Sequence, residues 1–254
     1  MNTIGVSCPD FSKEPFADML KTISKDFAHW EIFSELAHYG PMVVSTSAEA
    51  VKGSAMTFSL HTGIADINVA SLNGTVREAC VRSILAEMES AYELGIDTVT
   101  IHPGLVNLAV HDVRQRSLDA ARLSMREFDR AAREYGIHAC IENMPDIPIM
   151  ICQSASELEQ VIDGTSLEVC FDIGHANTAG QIDAMIDLFR DRIANIHIHD
   201  NLGDRDAHLT IGDGNIDFGH VLGRLKGYAR RYIIECRNLD SARVSLARLK
   251  DMLQ

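Results

Sequence analysis

Histidine and acidic side chains stand at the ends of short apolar segments along most of this chain. Because an unpaired charge next to a buried strand is costly, such residues need a common partner. A cation bound by all of them would meet that need, so the pattern predicts one metal centre. The segments are MTFSLH (56–61), VTIH (99–102), ACIE (139–142), VCFD (169–172), IANIH (193–197) and YIIE (232–235), which end at His61, His102, Glu142, Asp172, His197 and Glu235.

Three further candidate ligands, His175, Asp206 and His208, lie just beyond strand-like segments. Carboxylates suit hard or borderline divalent ions, and imidazoles add a preference for zinc, manganese or cobalt. We expect zinc or manganese, as one ion and at most three. The six cysteines form no CxxC pair, which argues against a structural zinc site or a disulfide framework. They are interpreted as small buried hydrophobes in a reducing compartment.

Strand-like and amphipathic segments alternate along the chain and predict how these residues are positioned. Eight strands separated by helices favour parallel pairing with right-handed crossovers, and hence a closed α/β barrel of the (β/α)8 TIM type. An open doubly wound sheet is the weaker alternative, because no glycine-rich phosphate loop follows the first strand. The predicted strands are residues 3–8, 30–33, 56–61, 98–102, 138–142, 167–172, 193–199 and 231–236.

The predicted helices cover residues 14–24, 76–94, 112–135, 181–189, 218–226 and 241–253, with one more beginning after Ser154. Capping boxes are expected at Thr75 with Glu78 and at Ser154 with Glu157. Gly95 and Gly136 are expected to end the second and third of these helices. The segment between the second strand and Gly53 is interpreted as irregular or weakly helical.

Length and composition predict a single domain over residues 1–254, since no linker or low-complexity segment divides the chain. No membrane-spanning segment or signal peptide is apparent, so a cytoplasmic protein is expected. The net charge of −13 disfavours nonspecific binding to nucleic acid or to an anionic membrane. Oligomeric state is left open.

Several candidates have a simpler interpretation when each is taken alone. His61 and His102 could be hydrogen-bonded loop histidines, and Asp172 could cap the following helix. The loop residues 199–201, 206 and 208 could be solvated, whereas Glu142 and Glu235 are harder to explain without a partner. Glu31 in the second strand could likewise be a site carboxylate, but a surface or structural role is favoured. The histidines without a strand-end position, His29, His38, His111, His138 and His220, are left out of the site.

The joint pattern resembles the xylose isomerase-like TIM barrels. That superfamily contains sugar isomerases and epimerases and also the endonuclease IV type of apurinic endonuclease. The similarity extends over residues 56–236. It rests on the motifs HPG (102–104), IEN (141–143), FDIGH (171–175), HIHDN (197–201), DAH (206–208) and IGDGNID (211–217).

This resemblance implies a divalent metal held in both branches by Glu142, Asp172, His197 and Glu235. In the isomerase branch the two glutamates also act as acid and base, with His175 near the substrate. The endonuclease branch implies a second zinc at His61, His102 and Glu142, and a third at His175, Asp206 and His208.

Substrate binding is predicted for His175, His199 and Arg205. Many ketose epimerases have an arginine six residues beyond the metal histidine, where this chain has Gly203, and the nearby Arg205 is expected to substitute for it.

Two features favour the isomerase branch. Ile64 stands where the endonucleases have an aromatic wedge, and the loop at 33–41 has no Arg or Lys to bind phosphate. We therefore predict a metal-dependent isomerase or epimerase of a small carbohydrate-like molecule, with proton transfer by Glu142 and Glu235 through a metal-stabilised enediolate. The alternative is a trinuclear-zinc phosphodiesterase acting at abasic DNA. A metal-binding barrel that has lost its chemistry is less favoured, because both glutamates are intact.

Overall fold

The computed structural model describes residues 2–107 and 109–254, and within them eight strands alternate with helices. Neighbouring strands pair in parallel in chain order, and the last strand pairs with the first to close a barrel. The predicted (β/α)8 barrel is therefore confirmed, and the open doubly wound sheet is wrong. The strands are β1 (Thr3–Ser7), β2 (His29–Phe33), β3 (Thr57–His61), β4 (Thr98–Ile101), β5 (His138–Glu142), β6 (Glu168–Asp172), β7 (Ile193–Ile198) and β8 (Arg231–Glu235).

The helices surround the barrel, and one of them is more regular than the sequence indicates. Residues 40–52, interpreted above as irregular or weakly helical, form a regular helix in which Pro41 occupies the first turn. Proline is well suited to that position, because the amide it lacks would have no partner there. The helices are α1 (Phe16–Ile23), α2 (Gly40–Lys52), α3 (Gly74–Leu94), α4 (Arg114–Tyr135), α5 (Ala155–Ile162), α6 (Ile173–Thr178), α7 (Ile182–Phe189), α8 (Phe218–Arg224) and α9 (Leu239–Met252).

The helix caps agree with the sequence only in part. At the start of α3 the capping residue is Asn73, whose side chain accepts from the amides of Thr75 and Val76, so the capping box predicted at Thr75 is wrong. Ser154 caps α5 by accepting from the amide of Glu157, but the Glu157 side chain accepts from the amide of Cys152, so only half of the predicted capping box forms. Gly95 and Gly136 follow α3 and α4 in the left-handed conformation that glycine adopts without strain.

Side-chain alternation along the strands separates an apolar shell from a polar barrel interior. Ala139 and Ile141 of β5 are buried in the apolar core, where strands pack against helices. Alternate positions point inward, and Glu142 at the end of β5 does so. The interior therefore contains a column of polar residues that leads to the carboxyl ends of the strands.

The predicted domain of residues 1–254 includes Met1 and Leu108, which lie outside the described residues. In the described part of the chain, no helix combines the length and the apolar character that a membrane crossing requires.

Candidate metal centre

The strand-end residues predicted from the sequence converge at the carboxyl end of the barrel. β3, β5, β6 and β8 end at His61, Glu142, Asp172 and Glu235. His197 is the penultimate residue of β7, and His102 directly follows β4. Because the strands are parallel and in register around a closed barrel, residues at their ends meet although they are far apart in sequence.

The first donor group consists of His61, His102 and Glu142. Oε2 of Glu142 lies 3.2 Å from Nε2 of His61 and 3.0 Å from Nε2 of His102. Nδ1 of His61 donates to the carbonyl oxygen of Thr62 at 2.8 Å, which leaves Nε2 to face the carboxylate. Fixing one ring nitrogen through the other is how proteins orient histidine ligands.

The second donor group consists of Glu142, Asp172, His197 and Glu235. Nδ1 of His197 lies 2.9 Å from Oε1 of Glu142, 3.2 Å from Oε1 of Glu235 and 3.8 Å from Oδ2 of Asp172. Glu142 therefore directs one carboxylate oxygen to each of the first two groups. Such an arrangement can bridge two cations.

The third donor group consists of His175, Asp206 and His208. Oδ2 of Asp206 lies 3.4 Å from Nε2 of His175 and 3.0 Å from Nε2 of His208. Nδ1 of His175 donates to the carbonyl oxygen of Asn143 at 2.9 Å, so this ring is oriented in the same way as that of His61. His208 has a φ of 45°, an uncommon left-handed conformation for a residue other than glycine. Its ring is turned toward Asp206.

The neighbouring charges in these donor groups shift one another's pKa values. Burial raises the pKa of Glu142, but the rings of His197, His102 and His61 outweigh it and hold that pKa well below its usual value. Burial lowers the pKa of His175, yet Asp172, Asp206 and Glu142 raise it well above the usual range. Glu142 is thus held in its ionised form, the form in which a carboxylate binds a divalent cation.

The donor set fits a hard or borderline divalent ion. Oδ2 of Asp172 and Oδ1 of Asp206 are buried and accept no hydrogen bond from the described residues. Ionised oxygens left without donors are costly unless a cation compensates them. Oxygen and imidazole donors are the combination that zinc and manganese accept.

His199 and Arg205, both predicted to contact substrate, have different surroundings. His199 is completely buried, with Nε2 3.3 Å from Asp172 and 3.4 Å from Asp206, and its ring stacks on His208 at 4.0 Å. It belongs to the same cluster of possible metal ligands as His175, Asp206 and His208, and its contact with substrate stays a prediction. Arg205 is exposed, and the described residues that line the site cavity do not include it.

The rest of the HIHDN motif at residues 197–201 organises the loop after β7. Asp200 accepts from the amides of Gly212 and Gly214 at 2.9 and 2.8 Å, and from that of Asn201 at 2.9 Å. The side chain of Asn201 donates to the carbonyl oxygen of Gly174 in α6 at 2.8 Å. These contacts hold in place the loop that carries Asp206 and His208.

Of the interpretations of Glu31, only the surface one is wrong. Glu31 is fully buried inside the barrel, and Oε1 lies 2.7 Å from Nε2 of His197. Its signal was an acidic residue in the middle of the short apolar strand WEIF (30–33). His29, excluded as lacking a strand context, begins β2 and is 1% exposed.

Comparison with known proteins agrees with this architecture. The family model described as xylose isomerase-like TIM barrel matches residues 24–252, and the chain belongs to that family. It is 34% identical over 260 residues to the uncharacterized protein MJ1311 of Methanocaldococcus jannaschii, covering 98% of this chain and 89% of that protein.

Two further similarities represent the two branches of the family. A crystal structure of a D-tagatose 3-epimerase-like protein superposes with a TM-score of 0.90 at 31% identity, covering 99% of this chain and 97% of that one. A probable endonuclease 4 of Mycoplasmoides gallisepticum is 33% identical over 173 residues, covering 61% of this chain and 56% of that protein.

Proposed function

We propose that the protein is a divalent-metal-dependent isomerase or epimerase of a small, uncharged, carbohydrate-like substrate. The observation that carries the proposal is the cavity above the donor groups. Its volume is about 160 Å³, Glu142 and Glu235 both line it, and none of its described lining residues is a lysine or arginine. A small neutral molecule suits such a cavity, whereas a phosphorylated one would find no lysine or arginine to bind it there.

The walls of this cavity are apolar and its floor is polar. Phe33, Ile64, Ile147 and Met150 are among the apolar wall residues, and the donor groups form the floor. Apolar walls with a few convergent polar groups are typical of small-molecule sites. They exclude water from the reacting atoms and leave the polar groups to orient the substrate.

The chemistry requires removal and return of a proton on the carbon next to a carbonyl group. A divalent ion held by Glu142, Asp172, His197 and Glu235 would act as a Lewis acid toward the oxygens of the substrate. Glu142 and Glu235 flank His197, at 2.9 and 3.2 Å from Nδ1, and both reach the cavity. We assign proton removal to one of them and proton return to the other.

The two carboxylates have different surroundings, as a pair with different roles requires. Glu142 contacts three imidazole rings, which hold it ionised. Glu235 contacts His197 and, at 3.6 Å, Nδ1 of His208, and it is the more exposed of the pair at 7% against 1%. Support also comes from the D-tagatose 3-epimerase-like protein, which is similar over nearly the whole chain.

Proton exchange with solvent tests this proposal directly. Protein loaded with manganese or zinc is incubated with a panel of neutral ketopentoses and ketohexoses in deuterated water, and the sugars are analysed by NMR. We expect deuterium at the carbon next to the carbonyl of at least one sugar, with formation of its epimer or isomer. Absence of exchange in all of them, together with incision of an abasic duplex, would refute the proposal.

A second candidate, a trinuclear phosphodiesterase acting at abasic DNA, is favoured by one specific observation. All three donor groups are complete, and Glu142 is placed to bridge the first two. The probable endonuclease 4 relative is also similar over part of the chain. Elemental analysis separates the candidates, since the isomerase is expected to hold one tightly bound ion per chain and the endonuclease three. The net charge of −13 and the absence of cationic residues from the described cavity lining favour the isomerase.

A further inference from the structure

The barrel interior below the donor groups is unusually polar. Barrels of this type are normally filled by layers of branched apolar side chains. Here Glu31 of β2 lies fully buried on the barrel axis, and Ser59 of β3 and Asn195 of β7 donate to its Oε2 at 2.6 and 2.8 Å. A buried carboxylate must be compensated by hydrogen bonds and by positive charge, so its retention calls for an explanation.

The other oxygen of Glu31 faces the metal centre from below. Oε1 lies 2.7 Å from Nε2 of His197, whose Nδ1 belongs to the second donor group. His61 and His175 orient their rings by donating to backbone carbonyls. His197 alone among these three uses an ionised carboxylate, which makes a stronger hydrogen bond than a carbonyl group does.

We propose that Glu31 is a positioning residue for the metal centre, which keeps the proton of His197 on Nε2 and presents Nδ1 as a strong, correctly oriented donor to a divalent ion. The inference rests on the metal requirement of the proposed function but not on the reaction, because it applies to any ion bound by His197.

A hydrogen-bonded chain below Glu31 determines the direction of each proton. The Ser59 hydroxyl has one hydrogen and donates it to Glu31, so it must accept from Nε2 of His29 at 2.9 Å. Nδ1 of His29 then accepts from the Thr57 hydroxyl at 2.8 Å. Burial lowers the pKa of His29 to about 4, so this ring is neutral, as the arrangement requires. All donors point toward Glu31, which therefore remains an acceptor.

Charge also supports the assignment. Glu31 accepts hydrogen bonds from Ser59, Asn195 and the His197 ring, which are the surroundings of an ionised carboxylate. It is thus an anion placed directly behind the His197 ring. Carboxylates in this position raise the basicity of a histidine ligand, and their loss typically costs about 10- to 100-fold in metal affinity.

The test measures ion affinity without substrate. Wild type and Glu31→Gln are stripped with a chelator, and zinc and manganese affinities are determined by competition with a chromogenic chelator. We expect Glu31→Gln to bind roughly 10- to 100-fold more weakly with an unchanged circular dichroism spectrum. Asp129→Asn is the control, because it alters a buried carboxylate that binds Ser166 and Arg133, away from the donor groups. Its affinity is expected to equal that of the wild type.

A second readout reports the tautomer of His197. Nitrogen chemical shifts of its ring in the zinc-loaded wild type are expected to show a protonated Nε2 and a metal-bound Nδ1. In Glu31→Gln the Nε2 resonance is expected to shift, because the acceptor is no longer charged.

If Glu31→Gln does not fold, the Ser59→Ala variant tests the inference in its place. It removes one hydrogen bond to Oε2 of Glu31 and leaves the carboxylate itself unchanged. Its affinity is expected to fall roughly fivefold. A folded Glu31→Gln variant that binds the ion as tightly as the wild type would overturn the inference. If Glu31→Gln does not fold, a Ser59→Ala variant with wild-type affinity would overturn it. A wild type that binds neither zinc nor manganese would also overturn it. A wild type that binds an ion in a Glu31-dependent manner but exchanges no sugar proton would support this inference and count against the proposed reaction.

Discussion

Glu142 and His197 are 55 residues apart in the chain, yet Oε1 of Glu142 lies 2.9 Å from Nδ1 of His197. The other oxygen of the same carboxylate faces His61 and His102. The Glu142 side chain therefore connects two donor groups, and a substitution of Glu142 alters both of them. No other donor residue described here contributes to two of the three groups as we define them.

Replacing either proton-transfer carboxylate is expected to abolish turnover. Glu142→Gln and Glu235→Gln keep the size of the side chain but remove a charged metal donor and a base, so kcat should fall by about 10²- to 10⁴-fold or more. The measurement is sugar turnover beside circular dichroism, which is expected to show an intact barrel. Near-wild-type turnover in both variants would remove these residues from the mechanism.

The double variant Asp206→Asn with His208→Ala separates the two candidate functions. Asp206 contacts His175 and His208 of its own donor group, and neither altered residue belongs to the second group. For an isomerase with one ion we expect full metal content, with KM raised or kcat lowered about tenfold, because general positioning contacts have effects of this order. Loss of one equivalent of zinc per chain, measured by elemental analysis, would instead favour the trinuclear enzyme.

Stability should fall with rising pH because of Glu87 in α3. This carboxylate is 1% exposed and accepts from the amide of Gly63 at 2.8 Å, and burial raises its pKa from 4.5 to about 7. Because the pKa is raised in the folded state, Glu87 contributes to the free energy of unfolding in its protonated form. This contribution is complete below about pH 4.5 and is lost as the pH rises through about 7.

Glu87→Gln should remove this dependence. We expect it to be more stable than the wild type at pH 8 by about 3 kcal/mol, and by much less at pH 5. Urea unfolding of both metal-free proteins at the two pH values measures the difference. Equal differences at pH 5 and pH 8 would show that Glu87 does not titrate as inferred.

Gly174 in α6 has no room for a side chain. A Cβ atom there would lie 2.0 Å from Cε1 of His199, which is completely buried and has no space to move away. Gly174→Ala is expected to reduce the free energy of unfolding by about 1–3 kcal/mol and to disturb Asp172 through His199.

Gly223→Ala in α8 is the matched control, because a Cβ at that position meets no atom within 4 Å. Alanine in a helix is favoured over glycine by about 1 kcal/mol, so this variant should be slightly stabilised. Thermal unfolding of the two variants provides the comparison, and equal midpoints would contradict the steric explanation.

The strands and most of the donor residues could be predicted from sequence because both depend on local patterns. An apolar segment that ends in Glu or His can be recognised in the sequence. Parallel pairing then brings the carboxyl ends of these strands together. Helix α2 was predicted only as irregular or weakly helical, because Gly40, Val43 and Val51 alone of its thirteen residues are buried, which leaves a weak apolar stripe. At the start of α3 the cap is Asn73 and not Thr75, and asparagine is the stronger capping residue of the two.

The surroundings of Glu31 and His199 could not be derived from the sequence, because they depend on barrel closure. Whether the middle residue of a strand faces the barrel axis or the helices follows from strand register, and register is not local. His199 lies just beyond β7, and the closed barrel places it beside Asp172 and Asp206.

The pairing of the first and last strands has a consequence for when the ion can be acquired. Ser7 of β1 lies in register with Glu235 of β8, so the pairing that closes the barrel borders the strand end that carries this donor. Contacts this distant in sequence form late, because they carry the largest loop-closure entropy. We therefore expect the complete site to become rigid late in folding, with ion uptake acting as the last stabilising step.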